Sequence, residues 1–140
     1  MKQVVRLFTF LALFVFILSG CQKQEPVKVG LMLHAFDKER WENDRDYFVS
    51  KVEELGGTVT VMDAGNNAET QLKQAQQLLN EGADILVVVP VDQCAAAQIV
   101  EEAHQKNVKV ISYDRLILNC KLDYYVSTDN VEIGQLQAEY

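Results

Sequence analysis

The sequence predicts an α/β fold, in which a parallel β-sheet is flanked by helices. Three observations carry this prediction. After residue 26, strand-like apolar runs and amphipathic helix-like segments alternate about five times. The run ADILVVVP at 83–90 is almost continuously apolar, as is typical of a strand buried on both faces. The connecting segments are short, as is usual between the strands and helices of βαβ units with right-handed crossovers.

The first strand is predicted at VKVGLML (27–33), and a helix is predicted from Asp37 to Leu55. Gly56 and Gly57 end this helix, because glycine readily adopts the left-handed conformation that follows many helices. The second strand is TVTVMDAG (58–65). Four apolar residues of the helix have the spacing of one face: Trp41, Phe48, Val52 and Leu55.

A second helix is predicted to begin at Asn66, which has the spacing of a capping pair with Glu69, and to end at Gly82. The third strand, at 83–90, follows it. The residues of this helix predicted to face inward are Leu72, Ala75 and Leu79.

Asp92 is predicted to begin a third helix. Two further strands are KVISYD (109–114) and DYYVSTD (123–129), and NVEIGQLQAEY (130–140) begins a fourth helix. The third helix has one apolar stripe, formed by Ala96, Ile99, Val100 and Ala103.

Length and charge limit the class of protein. A chain of 140 residues suits one domain of average size. Lys2 and Arg6 are the basic residues of the first 20, so the remainder has 11 basic and 20 acidic side chains, a formal charge of −9. An acidic chain without a cluster of Lys or Arg is a poor candidate for nucleic-acid binding, and no nucleic-acid partner is expected.

The N-terminus has the pattern of an export signal. A basic start, MKQVVR, precedes a run of 12 residues from Leu7 to Leu18, apolar except for Thr9, which is too short to cross a hydrocarbon core of about 30 Å. LSGC, ending at Cys21, resembles the bacterial lipobox, in which the cysteine is lipidated. We therefore expect a lipoprotein signal peptide at 1–20, a tether at 21–26 and an exported, membrane-anchored protein. The alternative is an ordinary signal peptide with a coincidental cysteine.

Two cysteines remain, and the sequence leaves two interpretations of them open. In an exported chain, Cys94 and Cys120 could form a disulfide. Alternatively, one is a small buried apolar residue and the other a loop thiol. With no histidine nearby in sequence, a metal site is not expected, and no cofactor is predicted.

Ligands of an open parallel sheet bind beyond the carboxyl ends of its strands, where loops and helix N-termini converge. This rule selects the residues that follow each predicted strand. The polar and aromatic candidates are His34, Phe36, Asp37, Arg40, Trp41, Asp63, Asn66, Asn67, Asp92, Gln93, Asp114, Arg115 and Thr128 to Asn130.

The sequence offers no residues for an enzyme. It contains neither G-x-G-x-x-G nor G-x-x-x-x-G-K-[ST], so no dinucleotide or P-loop site is indicated, and it lacks the G-x-S-x-G elbow. His104 falls within the third helix and is predicted to be a surface residue. His34 lies on a ligand-facing loop, but no serine or cysteine stands beside it as a nucleophile.

The candidate residues suit a sugar. Carboxylates accept hydrogen bonds from hydroxyls, a guanidinium donates to hydroxyl and ring oxygens, and an indole covers the apolar C–H face of the ring. Arg40, Trp41, Asp114 and Arg115 form such a set. Two structural alternatives stand beside this hypothesis: Trp41 belongs to the core, and Asp114-Arg115 is a solvated turn.

Four segments carry a resemblance to a known family: VKVGLML…ERWENDRDYFVSKVEELGGTV, NNAETQLKQAQQLLNEGADILVVVPVD, AHQKNVKVISYDR and YYVSTDNVEIGQLQA. The most specific motifs are ERW…DRD and YDR. Together the segments resemble the N-terminal lobe of type I periplasmic sugar-binding proteins of ABC transporters, in particular those that bind D-xylose, and the match extends from Val27 to Tyr140.

The resemblance implies two Rossmann-like (flavodoxin-like) lobes that close on a monosaccharide. By position, Arg40 binds the sugar, Trp41 stacks on it, and Asp114 with Arg115 binds its hydroxyls, while His34 and Asp92 are weaker candidates. Residues 27–140 correspond to the N-terminal lobe, so the second lobe is missing and a truncated chain is expected. Thr128, Asp129 and Asn130 match a strand-end turn, which we assign to helix capping first.

The predicted function is a lipid-anchored solute-binding protein that captures a monosaccharide, most simply the pentose D-xylose, for an ABC permease. The alternative is a surface sugar sensor that engages a membrane histidine kinase, because no sequence motif identifies the partner. A repressor of the same fold would need an N-terminal helix-turn-helix, where this chain has the lipobox pattern instead.

Overall fold

A computed structural model describes residues 25–36 and 39–139, which contain a five-stranded parallel sheet. The strands are ordered β2-β1-β3-β4-β5, and every neighbouring pair is parallel. The predicted fold class is therefore confirmed. The elements are β1 (Lys28–Leu33), α1 (Glu39–Glu54), β2 (Thr58–Asp63), α2 (Ala68–Asn80), β3 (Ile85–Val88), α3 (Ala97–Gln105), β4 (Lys109–Tyr113), β5 (Tyr124–Val126) and α4 (Asn130–Ala138).

The central strand β3 separates two hydrophobic clusters. Leu86 and Val88 pack with α2 and α3 on one face of the sheet, whereas Val87 and the following Val89 pack with Trp41 of α1 on the other. The prediction that this strand is buried on both faces is confirmed. Helices therefore cover both faces, and the strand ends are left to form a rim.

The C-terminal elements are much less buried. Every residue of β5 is exposed, and among the described residues of α4 none is buried. The cap of α4 is well formed, because the Asp129 carboxylate accepts hydrogen bonds from the backbone N–H groups of Val131 and Glu132 at 3.0 and 3.1 Å. The capping role predicted for this turn is confirmed.

Helix α1 ends one residue earlier than the sequence predicted. Leu55 was expected on the apolar face, but its side chain is 75% exposed. The reason is that the helix closes at Glu54 and Gly56 turns with φ 83°, so Leu55 lies beyond the last helical turn. Phe48 and Val52 pack against the α1-side cluster as predicted.

The starts of α2 and α3 also differ from the predictions. Asn66 adopts a left-handed φ of 58°, and the next residue, Asn67, caps α2 by accepting a hydrogen bond from Thr70 N at 2.8 Å. Asp92 does not begin α3 directly. Its carboxylate accepts from Cys94 N and Ala95 N at 2.8 and 2.7 Å, which caps a turn that precedes the helix.

Cys94 and Cys120 are free thiols in the structure, which favours the second interpretation given above. Cys94 is exposed, and Cys120 packs partly buried against the larger cluster. The predicted signal peptide at 1–20 and Cys21 lie outside the described residues. Within the described ranges, no helix is both long and apolar enough to cross a membrane.

Candidate functional site

The carboxyl ends of β1, β3 and β4 and the first turn of α1 meet at one edge of the sheet. The first turn of α1 carries Arg40 and Trp41, and β1 leads into His34. Asp114 and Arg115 follow β4 directly. The parallel topology thus brings together residues that are far apart in sequence, as the strand-end rule predicts.

Arg40 and Asp114 are the central pair of this edge. The Arg40 Nη2 donates to Asp114 Oδ1 at 2.6 Å across a sequence separation of 74 residues. The Arg40 side chain is 55% exposed and that of Asp114 is 22% exposed, so both remain open to solvent. The hydrogen bond that Arg40 donates to Asp114 raises the pKa of the guanidinium, and burial opposes this shift. The pair is therefore a charged donor and acceptor on an accessible surface.

The backbone of Asp114 is fixed by β5. Asp114 has a left-handed φ of 62°, a conformation that aspartate tolerates better than most residues. Its N–H donates to Val126 O at 2.9 Å. Its carbonyl oxygen accepts from the hydroxyls of Tyr125 at 3.2 Å and Ser127 at 3.1 Å. These three contacts fix the backbone that carries the carboxylate at the end of β4.

Trp41 is a core side chain in this structure. Its side chain is 3% exposed, and its ring lies edge-on to the His34 ring with centroids 4.7 Å apart. The Arg40 guanidinium carbon lies 4.8 Å from the indole centroid. A sugar would have to displace the guanidinium to reach that face, so the stacking role of Trp41 stays a prediction, as does a ligand role for buried His34.

Arg115 and Asp92 follow the ends of β4 and β3, and both contact the backbone rather than the Arg40–Asp114 pair. Arg115 Nη1 approaches the Pro90 carbonyl at 3.4 Å, which turns this guanidinium towards the end of β3. Asp92 uses one carboxylate oxygen to cap the turn before α3. Their ligand roles remain predictions.

A buried glutamine fixes the end of β3. Gln71 of α2 is 1% exposed; its Nε2 donates to Val89 O at 2.9 Å, and its Oε1 accepts from Val91 N at 3.0 Å. Both polar ends of the side chain are thus satisfied by the backbone on either side of Pro90. The sequence analysis missed this residue, because a glutamine within a predicted amphipathic helix normally indicates a solvent-facing position.

Two further residues next to the pair, which the motifs DRD and YDR contain, were given no role in the sequence analysis. Asp44 Oδ2 lies 3.5 Å from Arg40 Nε, and the Tyr113 hydroxyl donates to the same oxygen at 3.0 Å. Burial, followed by the hydrogen bond to Asp44, raises the pKa of Tyr113. The available signal was the i,i+4 spacing of Arg40 and Asp44 on one helix. Nothing in the sequence indicated that Tyr113 meets them.

The arrangement offers hydrogen-bond donors and acceptors rather than reactive groups. A carboxylate and a guanidinium with free sites can bind the hydroxyls of a polar ligand in fixed directions. In the part of the chain that the structure describes, no group of three or more His, Cys, Asp or Glu residues could hold a metal ion.

Comparison with known proteins gives a family match and several similar proteins. Residues 29–140 match the family model described as a periplasmic binding protein domain. The chain is 42% identical over 115 residues to the D-xylose-binding periplasmic protein of Escherichia coli (strain K12), covering 82% of this chain and 35% of that relative. The chain therefore spans about a third of the length of this relative.

Two solved structures are similar in backbone. An ABC transporter solute-binding protein from Clostridium phytofermentans with bound β-D-glucose superimposes with a TM-score of 0.75 at 30% identity, over 81% of this chain and 35% of that one. The fructose-binding periplasmic domain of a hybrid two-component system superimposes with a TM-score of 0.67 at 29% identity, over 81% of this chain and 38% of that one.

Proposed function

Because the chain belongs to the periplasmic binding protein domain family, we propose that it is the N-terminal lobe of an exported protein that captures a monosaccharide for an ABC transporter. The observation that carries the proposal is the accessible Arg40–Asp114 pair at the carboxyl edge of the sheet. The role is binding without chemical change of the sugar. Arg115, Trp41 and the weaker candidates complete the proposed site.

D-xylose is the proposed ligand. The support for D-xylose is the 42% identity to a D-xylose-binding periplasmic protein. The similar structure from Clostridium phytofermentans holds β-D-glucose instead. A pentose presents hydroxyls to which a carboxylate and a guanidinium can bind simultaneously. Discrimination between a pentose and a hexose depends on groups that would be left unpaired by the wrong sugar.

The proposed full site has two lobes, of which this chain supplies one. A single lobe leaves the sugar open to water, so each hydrogen bond to the ligand replaces one to solvent and contributes little. Closure of a second lobe would exclude that water and strengthen the same contacts. We therefore expect the 140-residue chain to bind D-xylose with a dissociation constant on the order of millimolar or weaker.

Titration of the isotope-labelled chain with D-xylose by NMR tests the site. We expect chemical-shift changes at Arg40, Trp41 and Asp114, with a loss of affinity of tenfold or so in Asp114→Asn. Asparagine is the better substitution than alanine because it tolerates the left-handed φ of 62°. Glu69→Gln, which removes an exposed ion pair on α2, is the control. Unchanged affinity in Asp114→Asn would refute the site.

A further part of the proposal is that the protein is anchored to a membrane by a lipid. The lipobox pattern at Leu18 to Cys21 supports lipidation of Cys21 and attachment to the outer surface of a membrane. Incorporation of a labelled fatty acid into the expressed chain, and its absence in Cys21→Ser, is the expected result. Equal incorporation in both would exclude lipidation at this residue.

A sugar sensor is the second candidate function. The observation that favours it is the similarity to the periplasmic domain of a hybrid two-component system. In that case, the sugar-bound form engages a membrane histidine kinase rather than a permease. Co-purification from membranes distinguishes them, because a permease is expected for transport and a kinase for sensing.

A further inference from the structure

We infer that Asp44 is a positioning residue for Arg40, and that Tyr113 in turn fixes Asp44. The inference rests on the proposed function, since it assigns a role within the same sugar site. Asp44 is not expected to contact the ligand. Its role is to set the direction in which the Arg40 guanidinium presents its donors.

Two carboxylates bind different parts of the same guanidinium. Asp114 Oδ1 accepts from Nη2 at 2.6 Å, and Asp44 Oδ2 forms an ion pair with Nε at 3.5 Å. A guanidinium has five N–H donors in a rigid plane. The Trp41 ring lies under this plane, and contacts at two separate nitrogens restrict its orientation further than the contact at Nη2 alone. The remaining donors are then held in a defined direction for a ligand.

Tyr113 connects Asp44 to the strand that carries Asp114. Its hydroxyl donates to Asp44 Oδ2 at 3.0 Å, the same oxygen that faces Arg40 Nε. Successive residues of a strand normally point to opposite faces. Here both Tyr113 and Asp114 contact α1, because Asp114 leaves the strand with a φ of 62°. A closed ring of contacts therefore joins α1 to the end of β4.

This second support matters because more than half of the Arg40 side chain is exposed to solvent. A long exposed side chain has many rotamers. A ligand that binds a disordered guanidinium must order it first, which lowers affinity. Asp44 and Tyr113 reduce that cost, because they hold the guanidinium in one orientation before the ligand arrives.

Hydrogen exchange at the Arg40 Nε–H, followed by NMR on the 140-residue chain, tests the support without any ligand. The signal is assigned by its loss in Arg40→Lys. We expect exchange to accelerate about twofold in Asp44→Asn, with a smaller change in the same direction in Tyr113→Phe. Asp46→Asn is the matched control, since Asp46 lies on the same helix and pairs with Arg45 at 2.7 Å. If Asp44→Asn behaves like Asp46→Asn, the inference is wrong.

D-xylose titration then tests whether Asp44 acts through Arg40. Asp44→Asn is expected to weaken binding about twofold in the wild-type background and not at all in Arg40→Lys. An equal loss in both backgrounds would mean a general structural role and would overturn the inference.

The two proposals fail in different ways. If Arg40→Lys binds D-xylose as tightly as the wild type, the proposed sugar site is wrong and the role of Asp44 in it is lost as well. If Arg40→Lys weakens binding but Asp44→Asn leaves both exchange and affinity unchanged, the sugar site stands and only the positioning role is refuted.

Discussion

Asp114 and Asp123 stand at the two ends of the segment that joins β4 to β5, and they use the same chemical group differently. Asp123 accepts from His104 Nε2 and Lys109 Nζ at 2.7 Å each and from Val110 N at 3.0 Å, and its side chain is 11% exposed. The Asp114 carboxylate accepts from Arg40 alone among the described residues, and is 22% exposed.

The difference separates a structural carboxylate from one that can bind a ligand. Asp123 receives a backbone N–H and two side chains from α3 and β4, so most of its lone pairs are satisfied within the fold. Asp114 has one exposed partner, which leaves acceptor sites for hydroxyls. Sequence proximity of an acidic and a basic residue does not distinguish these two cases. The number of hydrogen-bond partners of the carboxylate and their burial distinguish them.

The largest expected effect is on stability at Asp123. Asp123→Asn removes the charge to which His104 and Lys109 donate, and we expect the free energy of unfolding in urea to fall by about 2 kcal/mol. Asp114→Asn should cost about 0.5 kcal/mol, because its partner Arg40 is more than half exposed. Equal losses in the two variants would contradict the distinction between them.

A smaller effect is expected from pH. Burial opposes the charged form of Asp123, but hydrogen bonds from Lys109, the Val110 N–H and His104 outweigh it, so the pKa of Asp123 lies well below its ordinary value of 3.8. When the pKa of a carboxyl group is lower in the folded than in the unfolded chain, the ionised group stabilises the fold at pH values above the pKa of the unfolded chain. This stability is lost as the pH falls from that pKa towards the pKa of the folded chain. We expect a loss of about 1 kcal/mol between pH 4 and pH 3.

The control for the pH prediction is Asp123→Asn, in which this part of the acid sensitivity should disappear. Urea unfolding at a series of pH values provides the measurement. An acid profile of Asp123→Asn with the same slope as that of the wild type would assign the pH dependence to other carboxylates.

The fold was predictable because its information is local. The apolar run that contains β3 and the alternation of strands and helices predicted the parallel sheet. The ends of the helices were not predictable to the residue, because they depend on backbone conformations. The left-handed φ of Asn66, for example, moves the cap of α2 to Asn67. Likewise, Leu55 has the right spacing for the helix face but lies beyond the last helical turn.

The site was predictable only in part. The strand-end rule selected Arg40 and Asp114, and the fold places them in contact. Asp44 and Tyr113 were missed because the rule selects residues that follow a strand, whereas Asp44 lies one turn further into α1 and Tyr113 is still part of β4. Gln71 was missed for a related reason, since periodicity treats a buried glutamine as a polar residue on a helix surface.

The position of Trp41 gives the protein an optical consequence. It is the single tryptophan of the chain, and its indole lies against the His34 imidazole and beneath the Arg40 guanidinium. The tryptophan fluorescence of the protein therefore arises from one indole at the edge of the proposed site. Any displacement of the guanidinium changes the quenching and polarity around that ring, so occupancy of the site is readable without an added label.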